Sequence, residues 1–437
     1  MSELSYLSSR GNQAYHTVLR PDFEVYFEAS KNIYDALDNP NGTFPLNVAD
    51  NKLNWSVLRK KLQDIAAEHE IPLWVPGYTS GLGHETFKLA LAEFLGKFLA
   101  QHRLDPENIG IAAGATAVIE LSATILADKG DVAVIPAPAY PVYTRDIFNK
   151  AGVKRYDLIT HHDVGDIYHG PILSIRHLEI AKQEIEARGD HFKLLILTNP
   201  DNPTGGIFPK ERLEVIADWC IDKEIHLIVN EIYGLLRINI NDPAIAAYYP
   251  DQCIFTSFLD IIHTKKSPYL HQWYALSKDL GISGMRVGMV YSLNTGFLSA
   301  FNNLSLPHMV SNHTQWIMEK VLSDHTFMRN FLNLQHEALT KGYISVVNML
   351  NKLKIPFVPS YGSLFVWADF SKFISDETSQ AEIYFWNELY KSTGVLLTPG
   401  SGFGHTKKGM FRIVYTCFDE DALNVAMTRI YTYLSKF

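Results

Sequence analysis

Residues 274–288 read Tyr-Ala-Leu-Ser-Lys-Asp-Leu-Gly-Ile-Ser-Gly-Met-Arg-Val-Gly, so that Arg286 follows Lys278 by eight positions. The apolar run just before the lysine predicts a strand that ends there. Gly281 and Gly284 allow the chain to turn, so that the guanidinium can face the same cavity as the amine. A nucleophilic amine beside a guanidinium that binds phosphate is what a pyridoxal-phosphate site needs. For this segment alone, a surface lysine and arginine flanking a loop is an equal alternative.

A second segment, residues 198–206, reads Thr-Asn-Pro-Asp-Asn-Pro-Thr-Gly-Gly. It follows the apolar run 194–197, which is typical of a buried parallel strand. Two Asn-Pro pairs and two glycines predict a rigid turn at the carboxyl end of that strand, where open α/β sheets bind ligands. The alternative is a Pro/Gly loop with no further role.

A third segment, Ala113-Gly114-Ala115-Thr116-Ala117, leads into a helical apolar pattern. Glycine and alanine permit close backbone approach, and free N–H groups at a helix N-terminus bind phosphate, here with the Thr116 hydroxyl. A small-residue helix start is common in proteins. This segment therefore indicates a phosphate site only in combination with the others.

The fourth segment is the predicted strand 226–229, which ends in Asn230-Glu231-Ile232-Tyr233. Alternate side chains of a strand point to opposite faces of the sheet, so residues 230 and 232 share one face. A bend after the strand could bring Tyr233 back toward the same cavity. Its hydroxyl would then donate to the phenolic oxygen of a pyridoxal ring.

Together the four segments resemble the class I and II aminotransferase family, which are fold type I pyridoxal-phosphate (PLP)-dependent enzymes, and most closely its 1-aminocyclopropane-1-carboxylate synthase-like branch. The resemblance runs from residues 46–51 to residues 409–412. It implies an α/β fold, with a large domain built on a mostly parallel sheet flanked by helices and a smaller α+β domain. It also implies pyridoxal 5'-phosphate as cofactor, a small amino-acid substrate, and a homodimer with shared active sites.

One group of residues matches family positions that contact the cofactor. Lys278 resembles the Schiff-base lysine, and we expect it to be the catalytic residue. The remaining cofactor contacts implied by the resemblance are Arg286 and the helix start at Ala115 and Thr116 on the phosphate, Tyr140 stacked on the ring, Asn202 and Tyr233 at the phenolic oxygen, Asn230 beneath the ring nitrogen, and Ser277 beside the lysine.

Three further residues match positions that contact the substrate or a second subunit. Arg412 resembles the arginine that binds the substrate α-carboxylate bidentately, a geometry that lysine cannot provide. Tyr78 resembles a tyrosine that reaches the phosphate of the neighbouring subunit. Asp50 aligns with an acidic residue of the synthase branch that favours a cationic sulfonium substrate, and an N-cap for the helix from Trp55 is an equal alternative.

Two positions depart from the family pattern. Asn230 stands where the family has an aspartate, and a neutral amide cannot hold a proton on the ring nitrogen by charge. Each pKa unit lost at that nitrogen costs roughly 1.4 kcal/mol of differential stabilisation. Ala275 stands where many relatives carry a phosphate-binding serine, which removes one donor of several. We expect the change at Asn230 to affect turnover more than the fold.

Composition and charge limit the class of protein. The chain has 437 residues, 47% hydrophobic and 20% charged, with a net charge of −8 that argues against general nucleic-acid binding. No apolar run predicts a membrane span, and no secretory signal is recognised. Three scattered cysteines suit a reducing compartment, so we expect a cytoplasmic protein. No metal site is expected, and His161-His162-Asp163 is interpreted as a solvated loop.

Alternating strand and helix patterns predict βαβ units and three parts. These are a segment 1–54 that packs on the small domain, a large cofactor-binding domain 55–305, and a small domain 306–437. The longer predicted elements are helices at 178–188, 212–222, 314–322 and 327–350, and strands at 365–368 and 410–415.

Three functions stay open at this point. The first, which we expect, is transfer of an amino group between an L-amino acid and a 2-oxo acid through Lys278, and the other two are alternatives to it. The second is the branch reaction, γ-elimination with ring closure of S-adenosylmethionine. The third is a binding protein that keeps the fold but has lost catalysis, for which Asn230 is the main support.

Overall fold

The structure is a computed structural model that describes residues 6–16, 21–160, 173–250 and 252–437. The predicted loop at His161, His162 and Asp163 lies outside these residues. Within them, no helix combines the length and the apolar character that crossing a bilayer requires.

Helices occur along the whole of the described chain. In the first half of the chain they are α1 (Ser9–His16), α2 (Pro21–Ala29), α3 (Trp55–Glu68), α4 (Glu85–Phe98), α5 (Ala115–Leu126), α6 (Tyr143–Phe148), α7 (Ile175–Ala187) and α8 (Lys210–Asp222). In the second half they are α9 (Phe258–Lys265), α10 (Leu276–Asp279), α11 (Thr295–Leu304), α12 (Asn312–Ser323), α13 (His325–Lys352), α14 (Ser379–Thr393) and α15 (Glu420–Leu434). The four helices that were predicted with residue bounds, at 178–188, 212–222, 314–322 and 327–350, correspond to α7, α8, α12 and α13. All four are confirmed.

A seven-stranded sheet forms the centre of the larger part. The strands before residue 300 are β1 (Phe44–Pro45), β2 (Ile109–Ala112), β3 (Val132–Ala137), β4 (Lys154–Ile159), β5 (Phe192–Thr198), β6 (His226–Asn230), β7 (Leu270–Ala275) and β8 (Gly288–Ser292). Their order in the sheet is β2-β8-β7-β6-β5-β3-β4. Every pairing is parallel except those of β8 with β2 and β7. The predicted mostly parallel sheet is therefore confirmed.

Strand β5 shows why these strands are apolar along their whole length. Leu194 and Ile196 belong to the hydrophobic core on one face of the sheet, whereas Leu195 and Leu197 belong to the core on the other face. Helices cover both faces, so alternate side chains are buried on opposite sides.

The carboxyl ends of three neighbouring strands meet at one edge of this sheet. Thr198 at the end of β5 is in register with Asn230 at the end of β6, and Asn230 is in register with Trp273 near the end of β7. The turn 198–206 and the lysine segment therefore leave the sheet side by side.

A smaller antiparallel sheet lies in the carboxyl-terminal part. The remaining strands are β9 (Phe357–Val358), β10 (Phe365–Asp369), β11 (Val395–Leu396), β12 (Thr398–Pro399) and β13 (Met410–Val414). Four of them form a sheet in the order β12-β13-β10-β9, and the two predicted strands, β10 and β13, are confirmed. Strand β1 pairs with β11 in parallel, which attaches the amino-terminal segment to this part. The division at residues 54 and 305 stays a prediction.

Candidate functional site

A cavity of about 220 Å³ opens at the carboxyl ends of β5 and β6, beside the lysine segment that follows β7. Most of the residues that the sequence predicts for cofactor and substrate binding line it. They are Ala115, Thr116, Tyr140, Asn202, Asn230, Tyr233, Ser277, Lys278, Arg286 and Arg412. The other two predicted residues, Tyr78 and Asp50, are not among the lining residues.

Lys278 lies on the short helix α10, directly after β7. Its Nζ donates to the carbonyl oxygen of Ala49 at 2.5 Å and to Ser283 Oγ at 3.4 Å. Burial lowers the pKa of this amine from its ordinary 10.5 to about 8, while the carboxylate of Asp50 acts in the opposite direction. The Asn51 side chain donates to the Lys278 carbonyl at 2.8 Å. The segment before α3 therefore holds the lysine, and a lowered pKa makes its amine a better nucleophile near neutral pH.

The start of α5 and Arg286 form one end of the cavity. Gly114 directly precedes the helix with φ 88°, and a Cβ there would lie 2.1 Å from Arg286 Nη2. A Cβ at Gly288 would lie 2.4 Å from the carbonyl carbon of Gly114. Two glycines therefore permit the close approach that brings this guanidinium to the first turn of α5. Arg286 Nη1 donates to the Ser283 carbonyl at 2.8 Å, which orients the group.

Arg412 lies in the middle of β13 and is 3% exposed. Its Nη1 donates to Asn202 Oδ1 at 2.8 Å and its Nη2 donates to the Asn47 carbonyl at 2.6 Å. The guanidinium lies over the rings of Phe365 and Phe403, with 4.4 and 4.9 Å to the ring centres. Hydrogen bonds in the plane and rings against its faces fix this group before any ligand arrives.

Three tyrosines and Asn230 are among the residues that line the cavity. Tyr140 and Tyr143 meet edge to face, with ring centres 5.3 Å apart. Burial raises the pKa of the Tyr233 hydroxyl well above its usual value, although the Arg412 charge acts in the opposite direction. This hydroxyl therefore stays protonated and able to donate. Asn230 Nδ2 donates to the Tyr143 hydroxyl at 2.8 Å.

Ten lining residues were not predicted from the sequence, and those with polar or aromatic side chains are Phe23, Asn47, Tyr143, Thr198 and Ser283. Ser283 lies between Lys278 and Arg286 in the sequence, and its Oγ is 3.4 Å from Lys278 Nζ. It provides a serine hydroxyl near the lysine in a chain that has alanine at position 275, where many relatives have serine. Tyr143 follows Tyr140 by three positions, but Tyr140 precedes α6, so helical spacing does not relate the two. Thr198 belongs to the predicted turn 198–206, and that pattern does not indicate its contact with Tyr143.

Asn47 links the cavity to the amino-terminal helix α2. Its side chain donates to the carbonyl oxygen of Asp22 at 3.0 Å and to a carboxylate oxygen of the same residue at 3.3 Å. Its own carbonyl accepts from Arg412. Phe23, the next residue of α2, is thereby held at the cavity. No sequence pattern indicates contacts between segments that are this far apart in the chain.

Asp50 and Tyr78 lie outside the cavity for different reasons. The alternative that Asp50 caps α3 is wrong, because the N-cap position is Asn54. Asp50 acts on the site through its charge, which raises the Lys278 pKa. Tyr78 is 95% exposed, so it contributes nothing to the cavity of its own chain.

The residues of the cavity fit pyridoxal 5'-phosphate. A buried amine with a lowered pKa suits an aldehyde, and a guanidinium beside a helix start suits a phosphate. Tyr140, which also lines the cavity, offers an aromatic ring, and Tyr233 and Asn202 offer polar groups. Arg412 in the same cavity carries a guanidinium, a group that suits a carboxylate.

Comparisons with known proteins agree with this geometry. Residues 46–430 match the family model for aminotransferase class I and II. A 1-aminocyclopropane-1-carboxylate synthase from Arabidopsis thaliana is 29% identical over 431 residues, covering 95% of this chain and 92% of the relative. A synthase of the same name from Nicotiana tabacum is 27% identical over 428 residues, covering 95% of this chain and 83% of that protein.

Solved structures show the same fold at lower identity. An archaeal alanine:glyoxylate aminotransferase superposes with a TM-score of 0.80 and 20% identity, and the match covers 100% of both chains. An aspartate aminotransferase from Thermus thermophilus, solved with maleate, gives a TM-score of 0.78 and 18% identity, covering 98% of this chain and 100% of that one. At these identities the likeness shows the fold alone, and it confirms the predicted fold type I.

Proposed function

We propose that this chain, which belongs to the aminotransferase class I and II family, transfers an amino group between an L-amino acid and a 2-oxo acid with Lys278 as its catalytic residue. By that membership it is a PLP-dependent enzyme. When bound, the cofactor supplies an aldehyde that condenses with amines and a ring that withdraws electrons from the substrate. The residue roles and the substrate are the parts that we propose.

The observation that carries the proposal is the placement of Lys278 in one cavity with Arg286 and Arg412. Arg286 and the α5 start would hold the phosphate, while Arg412 would hold the substrate carboxylate. Lys278 would anchor the cofactor and, once the substrate amine has displaced it, move the α-proton as base and then acid. Its pKa of about 8 suits this role, because a catalytic base works best with a pKa near the operating pH.

Arg412 would also decide the orientation of the substrate. Two of its nitrogens are already engaged by Asn202 and by the Asn47 carbonyl, so the guanidinium cannot rotate freely. A carboxylate bound to a fixed planar group would itself be held in a fixed direction within the cavity that Lys278 also lines. This requirement limits substrates to α-carboxylates and leaves the side chain open.

The second candidate is the synthase reaction on S-adenosylmethionine. It is favoured by the names of the curated relatives, which share 29% identity or less with this chain. Asp50 is the residue that the resemblance links to a sulfonium substrate, but it does not line the cavity. A chain that binds the cofactor without turning over either substrate would support the third candidate, loss of catalysis.

One experiment separates the three. Purified protein loaded with pyridoxal 5'-phosphate is treated with borohydride and the tagged peptide is mapped, with Lys278→Ala and the exposed Lys223→Ala compared. The proposal expects the tag on Lys278 and its loss in the first variant only. The loaded protein is then given amino acids with 2-oxoglutarate, or S-adenosylmethionine. Keto-acid formation supports transamination, and methylthioadenosine release without keto acid contradicts it.

We also propose a homodimer with shared active sites and a cytoplasmic location. Leu73, Tyr78 and Leu306 are 97%, 95% and 65% exposed, and they lie on two segments joined by the Ser305 Oγ bond to the Gly81 carbonyl. An apolar surface of this kind supports contact with a second chain. Mixing inactive Lys278→Ala and Tyr78→Ala chains should restore activity if sites are shared, and no recovery in a mixed dimer would refute the sharing of sites.

The cytoplasmic location is supported by the cysteines. All three are free, which suits a reducing compartment.

A further inference from the structure

Asn230 is held in one orientation by its neighbours. It is 6% exposed and lies at the carboxyl end of β6, facing the cavity. The backbone N–H of Ile232 donates to Asn230 Oδ1 at 3.2 Å. Because a backbone N–H can only donate, the atom that faces it must be the amide oxygen. The amide nitrogen therefore points to Tyr143, whose hydroxyl accepts from Nδ2 at 2.8 Å.

A further hydrogen bond links Tyr143 to Thr198. The Tyr143 hydroxyl lies 3.0 Å from Thr198 Oγ1. Either hydroxyl can donate in this contact, because the Tyr143 oxygen can accept from Thr198 as well as from Asn230. Burial raises the pKa of Tyr143 to about 12, so the hydroxyl is neutral at physiological pH. The three side chains that border this part of the cavity are thus all uncharged.

The nearest carboxyl groups do not replace the missing aspartate. Asp146, one turn further along α6, and Asp201, in the turn after β5, both act on Tyr143 through their charge. Burial raises the pKa of Asp146 to about 7 and that of Asp201 to about 6. Neither lines the cavity, whereas the ionisable lining groups other than tyrosines are the cations Lys278, Arg286 and Arg412. A protonated ring nitrogen would therefore place a positive charge in this cavity, where no lining side chain offers a negative charge to balance it.

We propose that Asn230, positioned by Tyr143 and Thr198, donates its second Nδ2 hydrogen to the ring nitrogen of pyridoxal 5'-phosphate and holds that nitrogen unprotonated at neutral pH. Asn230 touches the cofactor in this arrangement, and Tyr143 is a positioning residue that keeps the donor directed into the cavity. The ring then withdraws electrons less strongly than a protonated one. Proton movement at the substrate therefore depends more on Lys278 itself.

This inference rests on the proposed cofactor site, and the test reads the cofactor rather than turnover. Holoprotein is prepared with ring-¹⁵N-labelled pyridoxal 5'-phosphate, and the nitrogen chemical shift is followed from pH 6 to 9. We expect the wild-type shift to stay at the unprotonated value throughout. In Asn230→Asp it should move to the protonated value at pH 7. In Tyr143→Phe the chemical shift of the ring nitrogen should move toward the value of a nitrogen that accepts no hydrogen bond.

Tyr156→Phe is the matched control, because it removes a tyrosine hydroxyl that donates to Glu184 at 2.7 Å outside the cavity. It should leave the nitrogen shift unchanged. A protonated nitrogen in the wild-type holoprotein at pH 7, with the borohydride tag still on Lys278, overturns this inference and leaves the proposed function standing. Failure to take up the cofactor overturns both. The wild-type measurement decides the question even if Asn230→Asp does not fold.

Discussion

Replacing Lys278 by methionine should make the cofactor-free protein more stable at neutral pH. The folded pKa of about 8 lies below the ordinary 10.5, so folding at pH 7 buries a charge at a cost of about 1.4 kcal/mol for each unit of difference, or about 3 kcal/mol. Methionine also removes the Nζ bond to the Ala49 carbonyl, a loss of about 1 kcal/mol. The expected net gain is therefore about 2 kcal/mol.

The pH dependence of that gain is the sharper part of the prediction. Between pH 8 and 10.5 the unfolded chain binds the proton that folded Lys278 releases, so the stability of the wild type rises with pH across this window. The charge-burial cost is present in full below pH 8 and absent above 10.5. The advantage of Lys278→Met should therefore fall through this window and reverse sign, because only the lost hydrogen bond remains.

Urea unfolding followed by tryptophan fluorescence measures both quantities, at one protein concentration and without cofactor. Lys223→Met is the control, since Lys223 is solvated beside Asp222 and should show no comparable gain. A Lys278→Met protein that is no more stable than wild type at pH 7 would contradict the reasoning. So would a gain that does not change between pH 7 and 10.5.

Two other substitutions test the two ends of the cavity. Arg412→Lys keeps the charge but loses the planar fork, so kcat/KM should fall roughly 10- to 100-fold, corresponding to about 1.5–3 kcal/mol, with cofactor affinity unchanged. Arg429→Lys, which loses similar bonds to the carbonyls of Gly42 and Pro40, should leave kcat/KM near wild type, and equal losses in both would refute the assignment. Gly114→Ala should displace the Arg286 guanidinium and weaken cofactor binding by roughly tenfold or more in a titration followed by absorbance. Gly130→Ala shares the positive φ but meets nothing within 4 Å, so a similar loss there would mean that backbone strain is the cause.

The parts of the site that the sequence predicted are those set by local segments. The spacing of Lys278 and Arg286 spans one turn and one short helix, and the α5 start is a single element. Asn202 follows its strand within a few residues. In each case the chemistry and the geometry are encoded within one stretch of chain, so a pattern suffices.

The remaining parts depend on packing between distant segments. Arg412 donates to the carbonyl of Asn47, which lies 365 positions away in the sequence, and no periodic pattern of residues could predict that contact. Tyr143 was missed because a tyrosine on an amphipathic helix reads as core, and its role follows only from its bond to Asn230. The alternative that Asp50 caps the helix from Trp55 was wrong because Asn54, directly before Trp55, occupies the N-cap position. The role of Tyr78 needs a second chain and stays a proposal.

The contact between Asn47 and Asp22 has a practical consequence for recombinant work on this protein. A shortened chain that lacks α2 would lose both acceptors of the Asn47 side chain, and the carbonyl that accepts from Arg412 would be held less firmly. We expect such material to keep the colour of the bound cofactor but to bind substrate more weakly than the full chain.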